Sequence, residues 1–255
     1  MRVGLLHPGE MGAAIGAALR AAGRDVLWAS EGRSEATAAR AQAGGLDDAG
    51  TVAALAASSE MIVSVCPPHA ATEVANAVAG FEGIYVDANA VASATVRALA
   101  EVVPRLVDGG IVGPPPTRPG TTRLYLSGPG SETVASLFAG TAVDARVLGD
   151  EIGAASALKA VYAAWTKGTA ALLLAVRAVA RAEGVESALL EEWALSQPEL
   201  EKRFEAASSS ASAKGWRWVG EMREVAATFA AAGLPAGFHE AAAEVFERPE
   251  LAEPG

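Results

Sequence analysis

The 255-residue sequence predicts an α/β fold, a doubly wound parallel sheet, followed by an all-helical domain entered through one long helix. Three observations predict it. Short β-like apolar runs alternate with Ala-rich helical stretches up to about residue 150, the pattern of βαβ units. From residue 151 to about 183 the one turn signal is Gly168, so a single long helix is expected. Beyond it the pattern stays helical, broken by Pro198, by residues 208–215 (SSSASAKG) and by residues 233–237 (GLPAG). The expected domains are 1–150 and 151–255.

The elements follow in order. Residues 3–6 read as a strand and 11–22 as a helix; 25–29 and 35–43 repeat the pair. MIVSVC (61–66) and GIYVD (83–87) are further strands, each leading into an Ala/Val-rich helical segment. Residues 105–112, 124–127 and 145–148 supply the later strands. GPPPTRPG (113–120) is a loop, because its four prolines exclude both helix and central strand.

Composition narrows the function. Hydrophobic residues make up 51% of the chain, enough for a sizeable core. The apolar run at 170–176 is far short of the ~20 residues of a membrane span, and 3–6 is too short for a signal peptide. Cys66 stands alone, so no intrachain disulfide forms and a reducing, cytoplasmic setting is expected. The net charge is −10 with no basic run, which argues against nucleic-acid binding. His7, His69 and His239 lie far apart without paired ligand spacing, so no metal site is expected.

The opening, MRVGLLHPGEMGAAIGAAL, carries the first chemistry. A dinucleotide fingerprint reads G-x-G-x-x-G after a strand and into a helix; Gly9 and Gly12 stand at its second and third glycines, and His7 at its first. Gly9 lets the backbone approach a pyrophosphate, and Gly12 lets the helix pack on the strand. His7 with rigid Pro8 is expected to hold the corner with ordinary dihedrals. His7, Pro8, Gly9, Glu10, Met11 and Gly12 are thus expected to cradle a cofactor in a Rossmann-type domain. The second strand ends LWASEGRS; Ser30, Arg33 and Ser34 at its tip favour the 2′-phosphate of NADP, while Glu31 opposes it and leaves NAD possible. Ser34 doubles as a helix cap. Cys66, Pro67, Pro68 and Asn89 end two more strands at the same edge and are expected beside the cofactor; Asn89 serves equally as a helix N-cap. Cys66 reads as a small buried residue, not a nucleophile.

On the long helix, Lys159 sits in an apolar stretch, and helical spacing places Tyr162, Ala163 and Thr166 on its face. A lysine facing a cleft exchanges protons near neutral pH. Lys167, on another face, is expected to reach solvent. Trp218, Met222, Val225 and Phe229 recur at helical intervals and read as core or subunit interface.

These pieces resemble the β-hydroxyacid dehydrogenase superfamily, which includes 6-phosphogluconate and 3-hydroxyisobutyrate dehydrogenases and the imine reductases. GLLHPGEMG is similar to the family's G-x-x-G-x-G-x-M-G opening, VDGGIVGPPP (107–116) takes the place of its substrate-binding segment, and GAASALK (153–159) matches its G-x-G-x-x-x-K segment. The resemblance covers essentially the whole chain, and its second part looks most like a branch with a phosphogluconate-dehydrogenase-like C-terminal domain. It implies an NADP-preferring oxidoreductase acting on a carbonyl, hydroxyl or imine carbon of a small metabolite, with Lys159 as acid/base. It also implies that Val112, Gly113, Pro114 and Thr166 meet substrate, and that a homodimer builds the site between subunits. The family's substrate serine is Val112 here, its second glycine Pro114, and the asparagine after its lysine Ala163. Those departures leave two alternatives: an imine reductase with Tyr162 as proton donor, and a non-catalytic NADP-binding redox sensor.

Overall fold

The computed structural model describes residues 1–252. The chain divides into two compact units, Met1–Lys159 and the residues from Ala160 on.

The first unit alternates strands and helices: β1 (Arg2–Leu6), α1 (Glu10–Ala21), β2 (Asp25–Trp28), α2 (Glu35–Ala43), β3 (Asp47–Asp48), α3 (Val52–Ser58), β4 (Met61–Ser64), α4 (Ala71–Asn76), β5 (Ile84–Asp87), α5 (Ser93–Ala100), β6 (Leu106–Val112), β7 (Thr122–Ser127), α6 (Ser131–Leu137) and β8 (Val143–Gly149). One sheet of eight strands runs in the order β3-β2-β1-β4-β5-β6-β7-β8. Strand periodicity feeds two cores at once. Val3, Leu5, Met61, Val63 and Val86 face one side, with Ile15 and Leu19 of α1 and Leu137 of α6. Leu6, Ile62 and Tyr85 face the other, with Leu55 of α3, Val74 of α4 and Leu99 of α5. Each such side chain, fully buried, contributes about 1.5–3 kcal/mol. The sheet is therefore covered on both faces, as its near-continuous apolar strands require.

Two strands depart from the expected parallel sheet: β7 runs antiparallel to β6, and β8 shares its reversed direction. The proline loop joining β6 and β7 carries no helix, and a parallel strand needs a crossover of about a dozen residues or more.

The long helix α7 runs unbroken from Ala154 to Ala182. The second unit contains most of it, with α8 (Glu186–Ser196), α9 (Leu200–Ala231) and α10 (Gly237–Phe246). The Pro198 and GLPAG breaks are present. The SSSASAKG break is not: α9 passes straight through it. Serine and glycine only weaken a helix, and packing overrides them here. Ser208 is buried and donates to the carbonyl of Ala252, and the gap at Gly215 sits against Phe246. Met222 and Val225 are core residues, with Trp218 and Phe229 packed on them. Lys167 is mostly buried, where the sequence suggested a solvent-facing position. It pairs with Glu221 and lies over the Trp218 ring, 5.4 Å from its centroid. No helix among the described residues is long and apolar enough to cross a membrane.

Candidate active site

The corner between β1 and α1 is built by glycines and one strained histidine. A Cβ at Gly12 would lie 2.6 Å from the His7 carbonyl oxygen, so only glycine lets α1 come this close to the turn. At Gly16 the same test meets Leu46 at 2.8 Å and Leu5 at 3.1 Å, which continues the small face. Gly9 is different: a Cβ there meets nothing nearer than 4.0 Å, so the space above it is open. Gly9 is the N-cap of α1, and no side chain caps the helix. An uncapped helix start facing open space presents backbone amides and the positive end of the helix dipole to an anion.

His7 does not hold the corner with ordinary dihedrals. Its φ is +67°, the one positive value at a non-glycine position among the described residues. The left-handed region is the conformation that the missing first glycine would supply without strain. The bend is tight, since the Gly9 amide donates to the His7 carbonyl at 2.7 Å. Burial lowers the His7 imidazole to about 4, and the Arg33 guanidinium adds to the shift. The ring is neutral at pH 7, and its buried Nδ1 has no hydrogen-bond partner. Backbone, not histidine charge, makes this corner suited to phosphate.

The tip of β2 holds the residues expected to meet a ribose phosphate. Ser34 is the N-cap of α2: its Oγ accepts from the Thr37 amide at 3.3 Å. Arg33 is exposed. Two residues here escaped the sequence reading. Arg40 reaches back along α2, donating to Thr37 Oγ1 at 3.2 Å and to the Pro8 carbonyl at 3.4 Å, and so ties this tip to the glycine corner. The side chain of a helical residue leans toward the helix start, so Arg40, in the second turn of α2, was a readable candidate. Asp48, at the end of β3, accepts from the Gly50 amide at 2.7 Å and from Ser30, which hold its carboxyl below the usual carboxylate range.

Cys66, Pro67 and Pro68 follow β4. Pro67 caps a short 3-10 turn ahead of α4. Asn89 is not a helix N-cap; α5 is capped by Ala92. Its buried amide instead accepts from the Cys66 amide at 2.6 Å and donates to Asp87 at 2.7 Å and Ser64 at 3.2 Å. This staple fixes the loop after β4 to the end of β5. Burial pushes the Cys66 thiol up to about 12, with Asp87 adding to it, so no thiolate nucleophile forms. Burial likewise raises the Asp87 carboxyl to about 7 against the opposing Asn89 bonds.

Strand register locates Lys159. Asp87, the last residue of β5, pairs with Asp108 of β6, so residues 109–112 extend past the level where β5 ends. The start of α7 lies against that extension. A Cβ on Gly110 would meet the Ala155 carbonyl oxygen at 2.6 Å and Lys159 Cβ at 3.2 Å. Lys159 is half-buried there, at the carboxyl edge of the sheet, the edge that also carries the glycine corner. The first turn of α7 is closed by side chains from the sheet: Asp108 takes the amides of Gly153 and Ser156, and Ser127 that of Ala155.

The remaining expected residues fall further out. Val112 is buried in β6. Gly113, with φ +121°, folds back on Thr121, and the Pro114 carbonyl accepts from Thr122 Oγ1, which closes the proline loop on β7. Tyr162, one turn along α7, is 47% exposed. Thr166 donates its hydroxyl to the Tyr162 carbonyl, so its helix uses that proton.

Comparison with known proteins fits this geometry. Residues 2–91 match the family model described as NADP oxidoreductase, coenzyme F420-dependent, and residues 180–248 match a domain of unknown function, DUF1932. A conserved protein of unknown function, reported as structurally similar to 3-hydroxyacid dehydrogenases, is 27% identical. It superposes with a TM-score of 0.74 over 99% of this chain and 98% of its own. The 3-hydroxyisobutyrate dehydrogenase of Salmonella typhimurium gives 0.66 at 17% identity, over 97% and 93% of the two chains. A reductive aminase of Aspergillus terreus, solved with NADPH, gives 0.61 at 20% identity, over 97% and 92%. The chain thus has the fold of the 3-hydroxyacid dehydrogenases and reductive aminases.

Proposed function

We propose that the protein is an NADP(H)-dependent oxidoreductase acting on a carbonyl, hydroxyl or imine carbon of a small metabolite. One observation carries the reading: a half-buried lysine and an open, uncapped glycine corner occupy the same edge of one sheet. The residues fit a dinucleotide. The amides after Gly9 take the pyrophosphate, Arg33 and Arg40 supply positive charge for the 2′-phosphate, and the stapled Cys66–Asn89 loop walls the far side. When bound, the nicotinamide supplies or accepts a hydride.

The chain's own residues do the rest. The Lys159 ammonium holds a proton beside the reacting carbon and gives it to the oxygen or nitrogen that gains electron density; in the reverse direction the free amine takes it. Tyr162 orients the substrate from the next turn. Its exposure supports a second reading, in which its hydroxyl is the donor to an imine. We also infer a homodimer. Val161, Trp165, Leu172, Val176 and Val179 form an exposed apolar stripe at helical spacing along α7, of the kind a subunit interface covers. Light scattering at the mass of two chains supports this, and a monomer mass removes it.

The test is turnover with NADPH on a panel of hydroxyacids, ketoacids and cyclic imines. Lys159→Ala should lower turnover ~10²–10⁴-fold with cofactor binding intact, and Tyr162→Phe should matter less. The reverse order favours the tyrosine donor. Cofactor binding with no turnover on any substrate points to a redox sensor instead.

A further inference from the structure

Asp108 is a fully buried carboxylate inside a strand, and such a group needs partners. Its Oδ2 accepts from the Gly153 amide at 3.0 Å, the Ser156 amide at 3.0 Å and Ser127 Oγ at 2.9 Å. Its Oδ1 accepts from Ser156 Oγ at 2.6 Å. Ser127 Oγ in turn accepts from the Ala155 amide at 3.0 Å. Three amides at the start of α7 are therefore closed by β6 and β7.

An ordinary N-cap residue belongs to the helix it closes and adds no tie to another element. Here the cap lies 45 residues upstream, on the sheet. Gly153 itself has no side chain to offer. Its φ is +103°, its carbonyl accepts from Ser93 at 2.8 Å, and a Cβ would strike Arg97 at 2.6 Å. Two residues on from Asp108, on the same face of β6, Gly110 admits the Lys159 stem. Asp108 holds the first turn of α7, and Gly110 leaves room for the Lys159 stem beside β6. Lys159 follows Ser156 by about one turn, or ~4.5 Å of rise.

We infer that Asp108 is the positioning residue for Lys159: through the first-turn amides of α7 it fixes where the amine lies at the sheet edge. Its bearing on catalysis rests on the acid/base role proposed for Lys159; its bearing on geometry does not. The carboxylate acts through its hydrogen-bond pattern. In Asp108→Asn the amide oxygen can replace Oδ2, and the amide nitrogen can donate to Ser156 Oγ, whose hydroxyl turns to accept. In Asp108→Ala the amides of Gly153 and Ser156 and the hydroxyls of Ser127 and Ser156 lose their fixed acceptor.

The test needs no substrate. Lysines of the full chain are reductively methylated with ¹³C-formaldehyde, and the Lys159 dimethylamino signal is identified by its loss in Lys159→Arg. The signal should stand apart from those of exposed lysines in the wild type and in Asp108→Asn. In Asp108→Ala it should collapse onto them and sharpen, while far-UV circular dichroism stays native. An unchanged Lys159 signal in folded Asp108→Ala overturns the inference, as does a wild-type signal already among the exposed ones. Should Asp108→Ala fail to fold, Ser127→Ala removes two of the anchor bonds and Ser156→Ala one. A smaller shift in the same direction is then expected, and no shift in either overturns the inference. A kinetic arm separates the two claims. A signal that follows Asp108, with turnover untouched by Lys159→Ala, keeps the positioning and removes the acid/base role.

Discussion

Two helices begin at the same sheet, and their first turns are opposites. At α1 the N-cap is a glycine, no side chain closes the turn, and the space above it is open. At α7 the amides are already taken by a buried carboxylate and a serine hydroxyl of the sheet. Both ends carry the same dipole and the same need for acceptors. The difference teaches which end is a site and which is scaffold. A helix start filled by the protein's own anion positions other groups, whereas one left open by glycine waits for an anion from outside.

The strongest way to break this contrast is to make α1 resemble α7. Gly9 has extended φ/ψ of −65° and −168° and room for a side chain, so Gly9→Asp should cap α1 as Asp108 caps α7. NADPH binding by calorimetry should disappear, while thermal stability should hold or rise by a few tenths of a kcal/mol. Intact binding would mean that the open turn is not the anion site. Next in size, Gly12→Val drives a side chain into the His7 carbonyl and should cost about 3 kcal/mol in urea unfolding.

Titration sharpens the same comparison, because His7 and Asp87, at the ends of β1 and β5 on one edge of the sheet, shift in opposite directions. The His7 imidazole is lowered to about 4, so its contribution is present above ~6.5 and lost as pH falls. The Asp87 carboxyl is raised to about 7, so its contribution is present below ~4 and lost as pH rises. Between ~4 and ~6.5 the two slopes oppose each other, each limited to about 1.4 kcal/mol per pH unit. Asp87→Asn should therefore gain stability as pH rises through that window, and His7→Gly should lose it. Curves of equal slope in the two variants would contradict the assigned shifts. The smallest effect is conformational: at pH 7, His7→Gly relieves the left-handed strain and should stabilise by about 1 kcal/mol, measured by urea unfolding.

Much of this was legible in the sequence. Gly9, Gly12 and Gly16 mark the corner because a strand, a turn and a helix meet there in a fixed order. GPPPTRPG marks a loop because proline forbids anything else. The antiparallel β7 was missed because the shortness of that loop was not turned into strand direction. Continuous α9 was missed because serine clusters weaken a helix without ending it. Strain at His7 followed from the absent glycine, but Pro8 disguised it. Asp108 was visible only as a question, an acid inside an apolar strand, since its partners lie 19 to 48 residues away. The Lys167–Glu221 pair, 54 residues apart, was equally out of reach.

The central claim is that the open corner of α1 holds the pyrophosphate of NADP(H). Isothermal titration of the wild-type chain with NADPH, with NADH alongside, tests it most directly. Saturable one-to-one binding, tighter for NADPH, is the expected result. No heat with either nucleotide, from a chain that is folded by circular dichroism, would contradict it.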